Sequence, residues 1–169
     1  IAQQALIRAA LKSAGRSSQG ALMLESHGTG TSLGDPIEAR AMCAVREEPD
    51  LMSVNGCKAS VGHTEPTAGV AGLLQIVMIV VDRLACPNAQ RRAMNPHVRA
   101  ALEGSPLLPV QVEAARDTEE DLVGGVSSFG LNGTIAHVIV SASVTGAARS
   151  KCEPVSRLSP LVHRRRTFG

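Results

Sequence analysis

Apolar residues recur at helical spacing through the opening stretch IAQQALIRAALKSAG, and the pattern stops at Gly15, which predicts a first helix. The short run ALMLE (21–25) ends in polar residues and fits a buried strand. Asp35, Pro36 and Glu38 then supply an N-cap, a proline for the first turn and a capping-box acid, so a helix is expected from about Pro36 to Glu47. A strand near Ser53 precedes a Gly-His turn, and a helix from about Glu65 to Arg83 follows. That helix is apolar nearly all round. A membrane span is the rival reading, but the apolar run is short and holds Gly69, Gly72 and Gln75, so a helix buried between two layers is expected. Residues 85–121 are rich in Pro, Arg and Glu, with one strand candidate at LLPVQVEA. LVGGVSSFGLNGTIAHVIVSA reads as two strands joined by a Gly-rich turn, which suits an antiparallel pair. Past Ser143 the apolar pattern collapses into a linker or basic tail, and no internal repeat is visible.

Composition narrows the classes. At 169 residues, 44% hydrophobic and 19% charged, with net charge +2, the chain reads as globular: one domain or a piece of one. Only the C-terminal HRRR is densely basic, and two Phe with no Tyr or Trp leave almost nothing to stack bases on, so no nucleic-acid partner is expected. The chain begins at Ile1 inside a helical pattern, which suggests a fragment or a processed chain, and no signal peptide is visible. Cys43, Cys57, Cys86 and Cys152 lack metal-ligand spacing; reduced thiols in a cytoplasmic compartment, and no metal, are the expectation.

Three glycine-flanked segments stand where strands end, the usual place for a site in an α/β sheet: HGTGT (27–31), CKASVGHTE (57–65) and SSFGLNGT (127–134). The first two deliver His27, Lys58, His63 and Glu65. Two histidines on separate strand-end loops could converge on one carbonyl oxygen and hydrogen-bond the negative charge that develops there. A Lys58 ammonium nearby would favour neutral His63. Other readings compete. Glycine-rich loops are more often tight turns, GTGTSLGD lacks the GK[ST] ending of a phosphate-binding P-loop, and His-x-Glu at 63–65 lacks the Pro-Cys-x-x-Cys of zinc deaminases. Singly, each histidine is more often structural than catalytic; His97 and His137 sit in turn or strand contexts, and His163 in the basic tail.

Taken together, HGTGTSLGDPIEA, K-x-x-x-GH-x-E-x-x-AG and GVSSFG-x-x-GT-x-AHV resemble, in order and spacing, the β-ketoacyl synthase family. The resemblance is to the C-terminal half of the ketosynthase domain of modular polyketide synthases and covers about residues 1–141, leaving 142–169 as linker or tail. It implies an α/β thiolase-like fold of αβαβα layers, each half carrying a five-stranded mixed sheet, and an enzyme of decarboxylative Claisen condensation. By the resemblance, His27 and His63 hold the malonyl thioester carbonyl and stabilise its enolate. Lys58 sets the electrostatics around the second histidine, and Glu65 is the carboxylate tied into that network. Thr29 and Thr31 match threonines that contact the phosphopantetheine arm, a substrate carrier rather than a bound cofactor. Gly130 and Leu131 fall in the substrate-binding turn, Leu131 where many members have a gating phenylalanine. Ile135 replaces an asparagine, and Ala59-Ser60-Val61 replaces Ser-Asn-Ile. The family's nucleophilic cysteine belongs to a Thr-Ala-Cys-Ser-Ser segment of the N-terminal half, which this sequence lacks; its four cysteines read as non-catalytic. The implied partners are acyl carrier protein and the N-terminal half, the family is usually a homodimer, and no membrane is implied. The alternatives are a non-catalytic binding or assembly module, and a standalone hydrolase or decarboxylase using His27 and His63.

Overall fold

The structure is a computed structural model and describes residues 2–16, 22–46, 52–85, 87–88, 94–102, 113–114 and 121–142. Helix α1 (Ala2–Ser13) buries Ile7 and Leu11, one turn apart on its inner face. It closes in a Schellman arrangement: Gly15 has φ 62°, its N–H donates to the Lys12 carbonyl, and the Arg16 N–H donates to Leu11. Strand β1 (Leu22–Glu25) is buried at every position, as a short apolar run covered on both faces should be.

Helix α2 runs Gly34–Cys43, earlier at both ends than its proline and acids predict. Thr31 is the cause at the front: its Oγ1 accepts the Gly34 N–H at 3.1 Å, so the helix starts before Pro36. Strand β2 (Met52–Asn55) follows, then a four-residue helix α3 (Lys58–Val61) that periodicity did not reveal. A 3-10 turn (Glu65–Thr67) leads into α4 (Ala68–Asp82). Strand β3 (Leu84–Ala85), helix α5 (Pro96–Ala101) and strand β4 (Glu113–Ala114) come next. Of the expected LLPVQVEA strand, only Glu113 and Ala114 lie within the described residues; Cys86, Cys152 and the tail lie outside them. The chain then forms β5 (Leu122–Phe129) and β6 (Ile135–Ala142).

The main sheet has the order β2-β1-β5-β6. Strand β1 is parallel to β2 and β5, while β5 and β6 form the expected antiparallel hairpin, so the sheet is mixed. Among the described residues it has four strands rather than five, and β3 pairs with β4 apart from it. Two cores flank it. Ile7, Leu11, Met42 and Val45 of the α1–α2 side pack on Leu22, Leu24, Met52 and Val54. Ile76, Ile79 and Val80 of α4 pack on Met23, Leu122 and Val126. Gly124 lets α4 sit close, since a Cβ there would stand 2.6 Å from Val80 Cγ2.

Helix α4, with the turn before it, is long and apolar enough by composition to cross a membrane. Its buried residues Ala68, Gly72, Ile76, Ile79 and Val80 form a stripe against the sheet. Val70, Leu74, Val77, Met78 and Val81 are exposed on the rest of the helix. One of the two layers expected to cover α4 is therefore present among the described residues.

Candidate active site

Each chemistry-bearing segment leaves the C-terminal end of a strand of the mixed sheet. His27 follows β1, Lys58 and His63 follow β2, and Phe129 ends β5. Because β1 is parallel to both neighbours, these ends lie at one edge, and the three segments meet there. The imidazoles of His27 and His63 lie with ring centroids 5.7 Å apart, nearly perpendicular at 88°. Phe129 packs beside His27, ring to ring at 5.2 Å.

Backbone amides determine which nitrogen of each ring carries hydrogen. The Phe129 N–H donates to His27 Nδ1 at 3.3 Å, and the Glu65 N–H donates to His63 Nδ1 at 3.3 Å. A neutral imidazole that accepts at Nδ1 holds its hydrogen on Nε2. Both rings thus have an Nε2–H to offer. His27 is neutral at physiological pH, because burial, then the Lys58 charge, then His63 push its pKa down to about 4. A neutral donor stabilises a developing oxyanion without adding a buried cation.

The loop that carries His27 is tied down by two carboxylates. Glu38 accepts the His27 N–H at 2.7 Å through one oxygen and the Gly28 N–H at 2.9 Å through the other. Asp35 accepts the N–H groups of Thr31 and Gly30. The spacing of Asp35 and Glu38 suggested an N-cap and capping box; instead both side chains reach over the loop, and α2 has no side-chain cap at Leu33. Gly28 and Gly30 take φ 42° and 78°, which turn these amides toward the carboxylates at little steric cost. Burial dominates at Glu38 and raises its pKa to about 7 despite the two N–H donors.

Lys58 is half-buried on the first turn of α3, and its positive charge bears on His27, Glu25 and Glu38 alike. Glu65 is exposed and has φ 45°, a conformation uncommon for a side-chain-bearing residue. Its link to the pair is the backbone N–H on His63, and its carboxylate makes no hydrogen bond to either histidine among the described residues. Thr29 is half-buried and Thr31 exposed beside His27, the Thr31 hydroxyl being committed to Gly34. Gly130 and Gly133 close the hairpin turn, with the Gly130 N–H on the Thr134 carbonyl at 2.8 Å, and this leaves Leu131 wholly in solvent.

The remaining polar groups take other roles. Cys57 is buried, and burial with the Glu25 carboxylate beside it pushes its thiol up to about 11, so it stays protonated. His137 pairs across the hairpin with Ser127, Nδ1 to Oγ at 3.0 Å. His97 is exposed on α5, whose first turn is capped by Asn95 Oδ1 accepting the His97 N–H. No group of three or more potential metal ligands exists among the described residues.

The chain resembles known proteins along most of its length. Residues 1–92 match the family model for the C-terminal domain of beta-ketoacyl synthases. The chain is 38% identical over 164 residues to the spectinabilin polyketide synthase system protein NorA' of Streptomyces orinoci, covering 95% of this chain and 4% of that protein. It is 40% identical over 147 residues to the mycoketide-CoA synthase of Mycobacterium tuberculosis, covering 83% of this chain and 4% of that one. Among solved structures, the oxazolomycin ketosynthase domain OzmH KS7 of Streptomyces albus superposes with TM-score 0.73 at 31% identity, over 86% of this chain and 27% of that one. Ketosynthase twelve of the bacillaene synthase of Bacillus amyloliquefaciens superposes with TM-score 0.73 at 30% identity, over 82% of this chain and 25% of that one. The chain thus spans about a quarter of those ketosynthase structures and a small share of the synthases it matches. With the family model covering more than half of the chain and the three motifs meeting at one sheet edge, the chain belongs to the β-ketoacyl synthase family, as a C-terminal ketosynthase segment of the modular polyketide synthase type.

Proposed function

We propose that this segment supplies the decarboxylation half of a condensing site in a polyketide-forming β-ketoacyl synthase. The observation that carries the reading is the histidine pair: two rings 5.7 Å apart whose Nδ1 atoms each accept a backbone N–H, leaving each ring an Nε2–H to donate. A malonyl thioester carbonyl bound between them would accept both hydrogen bonds. As CO2 leaves, the electrons of the breaking C–C bond pass to that oxygen, and the two donors hold the enolate charge. The enolate carbon then attacks an acyl thioester carbon, forming the new C–C bond and releasing the cysteine thiolate. That cysteine and the acyl-binding pocket would come from the N-terminal half, and malonate would arrive on the phosphopantetheine arm of acyl carrier protein. Thr29 and Gly130–Leu131, at the mouth of the site, would line the path of that arm.

Lys58 supports the reading through its charge, which helps keep His27 neutral, and Asp35 and Glu38 through the loop they hold. The apolar face of α4 would meet the N-terminal half. The test is condensation from acyl and malonyl groups carried on acyl carrier protein. The chain coexpressed with its cognate N-terminal half should form product, and the chain alone should form none above a no-enzyme control. Product from the chain alone, abolished by Cys57→Ala, would overturn the reading.

A further inference from the structure

Glu25 ends β1, two residues before His27, and is completely buried. A buried carboxylate is costly unless its bonds repay the loss of water, and an apolar residue at this strand position would avoid the cost. Its Oε1 accepts the Cys57 N–H at 2.6 Å, and the Cys57 thiol donates to it as well. Cys57 is the residue on which α3 starts, and the α3 N-terminus has no side-chain cap of its own. The carboxylate therefore grips the first turn of the helix that begins with Lys58 and leads into His63. Space for it comes from Gly72 on α4, where a Cβ would approach Glu25 Cγ at 3.3 Å. Next to it, the Ser26 N–H and hydroxyl both donate to the Asn55 carbonyl, at 2.8 and 2.9 Å, and lock β1 to β2 just before the two loops diverge.

We propose that Glu25 is a positioning residue for the histidine pair, clamping α3 so that Lys58 and His63 stand at the correct place against His27. This rests on the reading of the pair as enolate stabilisers. Oε1 does the clamping, while Oε2 has no hydrogen-bond partner. An amide oxygen at the same place would still accept the Cys57 N–H; a thioether of similar volume would not.

Glu25→Gln and Glu25→Met are compared with wild type in the chain assembled with its N-terminal half. The readouts are CO2 release from a malonyl N-acetylcysteamine thioester, acyl loading of the cysteine, and amide hydrogen exchange at residues 57–62. Glu25→Met is expected to lower the CO2-release rate about 10- to 100-fold, the scale of a small misplacement of reacting groups. Its acyl loading should stay at the wild-type level, and its 57–62 amides should exchange faster. Glu25→Gln should stay within about threefold of wild type in rate, because one acceptor is conserved. Wild-type decarboxylation in Glu25→Met, or a folded Glu25→Gln that loses decarboxylation, overturns the proposal and leaves the reading of the pair intact. Should Glu25→Met fail to assemble, Glu25→Gln alone decides by the same criterion. No CO2 release by the wild-type assembly would overturn the reading itself and the proposal with it.

Discussion

A backbone amide, not a carboxylate, orients each of the two site histidines, and the buried groups around them have consequences for pH. His27 has its pKa lowered from 6.5 to about 4, so the unfolded chain binds a proton there below pH 6.5 that the folded chain refuses until about pH 4. Acidification through that window favours the unfolded state, and stability at this group is lost as pH falls from 6.5 to 4. Glu38 acts in the opposite sense. Its pKa is raised from 4.5 to about 7, so the folded state keeps a proton that the unfolded state has released, and stability is lost as pH rises from 4.5 to 7. In the assembled domain, His27→Gln should flatten the acid-side fall in unfolding midpoint, and Glu38→Gln should flatten the fall toward pH 7. Denaturation curves at half-unit pH steps check both, and slopes unchanged from wild type would contradict the assigned environments. His27, Lys58 and His63 were legible because their motifs put them at strand ends. The partners that orient the rings were not, because the Phe129 and Glu65 donors are main-chain groups that no side chain announces. Asp35 and Glu38 stand out in the sequence, but their spacing points to a capping box, which it shares with a clamp on the preceding loop.

At the scale of elements, close packing of α4 on β5 depends on a missing side chain. A Cβ on Gly124 would stand 2.6 Å from Val80 Cγ2 and 2.7 Å from Ile76 Cγ1, both in a well-filled core. Gly124→Ala should therefore destabilise the fold by about 1–3 kcal/mol through overpacking. Urea unfolding of the assembled domain measures this, and a midpoint equal to wild type would show that α4 is not seated as described. The pattern of this helix shows what periodicity conveys and what it omits. Apolar residues nearly all round α4 signalled cover on more than one side, but not which side this chain supplies. The inner stripe Ala68, Gly72, Ile76 and Ile79 is set by the small residues at 68 and 72, and Gly72 admits Glu25 and Val126. Helix α3 escaped detection because four residues are too few to show a period, and its start is held by Glu25 from another strand. The β5–β6 hairpin was legible in full, its glycines marking the turn and its two runs the strands.

At the scale of the whole molecule, the exposed side of α4 stands out among the described residues. Val70, Leu74, Met78 and Val81 are each 59–65% exposed along one helix, an apolar patch of the kind that marks a protein interface. The chain alone should bind a hydrophobic dye strongly or self-associate, and coexpression with the cognate N-terminal half should suppress both. A monomeric chain that unfolds cooperatively without dye binding would instead favour an independent module. Whether His27 and His63 together hold the enolate is decided by CO2 release from malonyl-acyl carrier protein in the assembled domain, with acyl loading measured in parallel. His27→Ala and His63→Ala should each slow release about 100- to 1000-fold, the usual cost of removing one donor to an oxyanion, while the cysteine still loads acyl groups. The double variant should fall short of the product of the two losses, because the donors act as a unit. Decarboxylation at the wild-type rate in either single variant, or a block in acyl loading with decarboxylation spared, would contradict the role assigned to the pair.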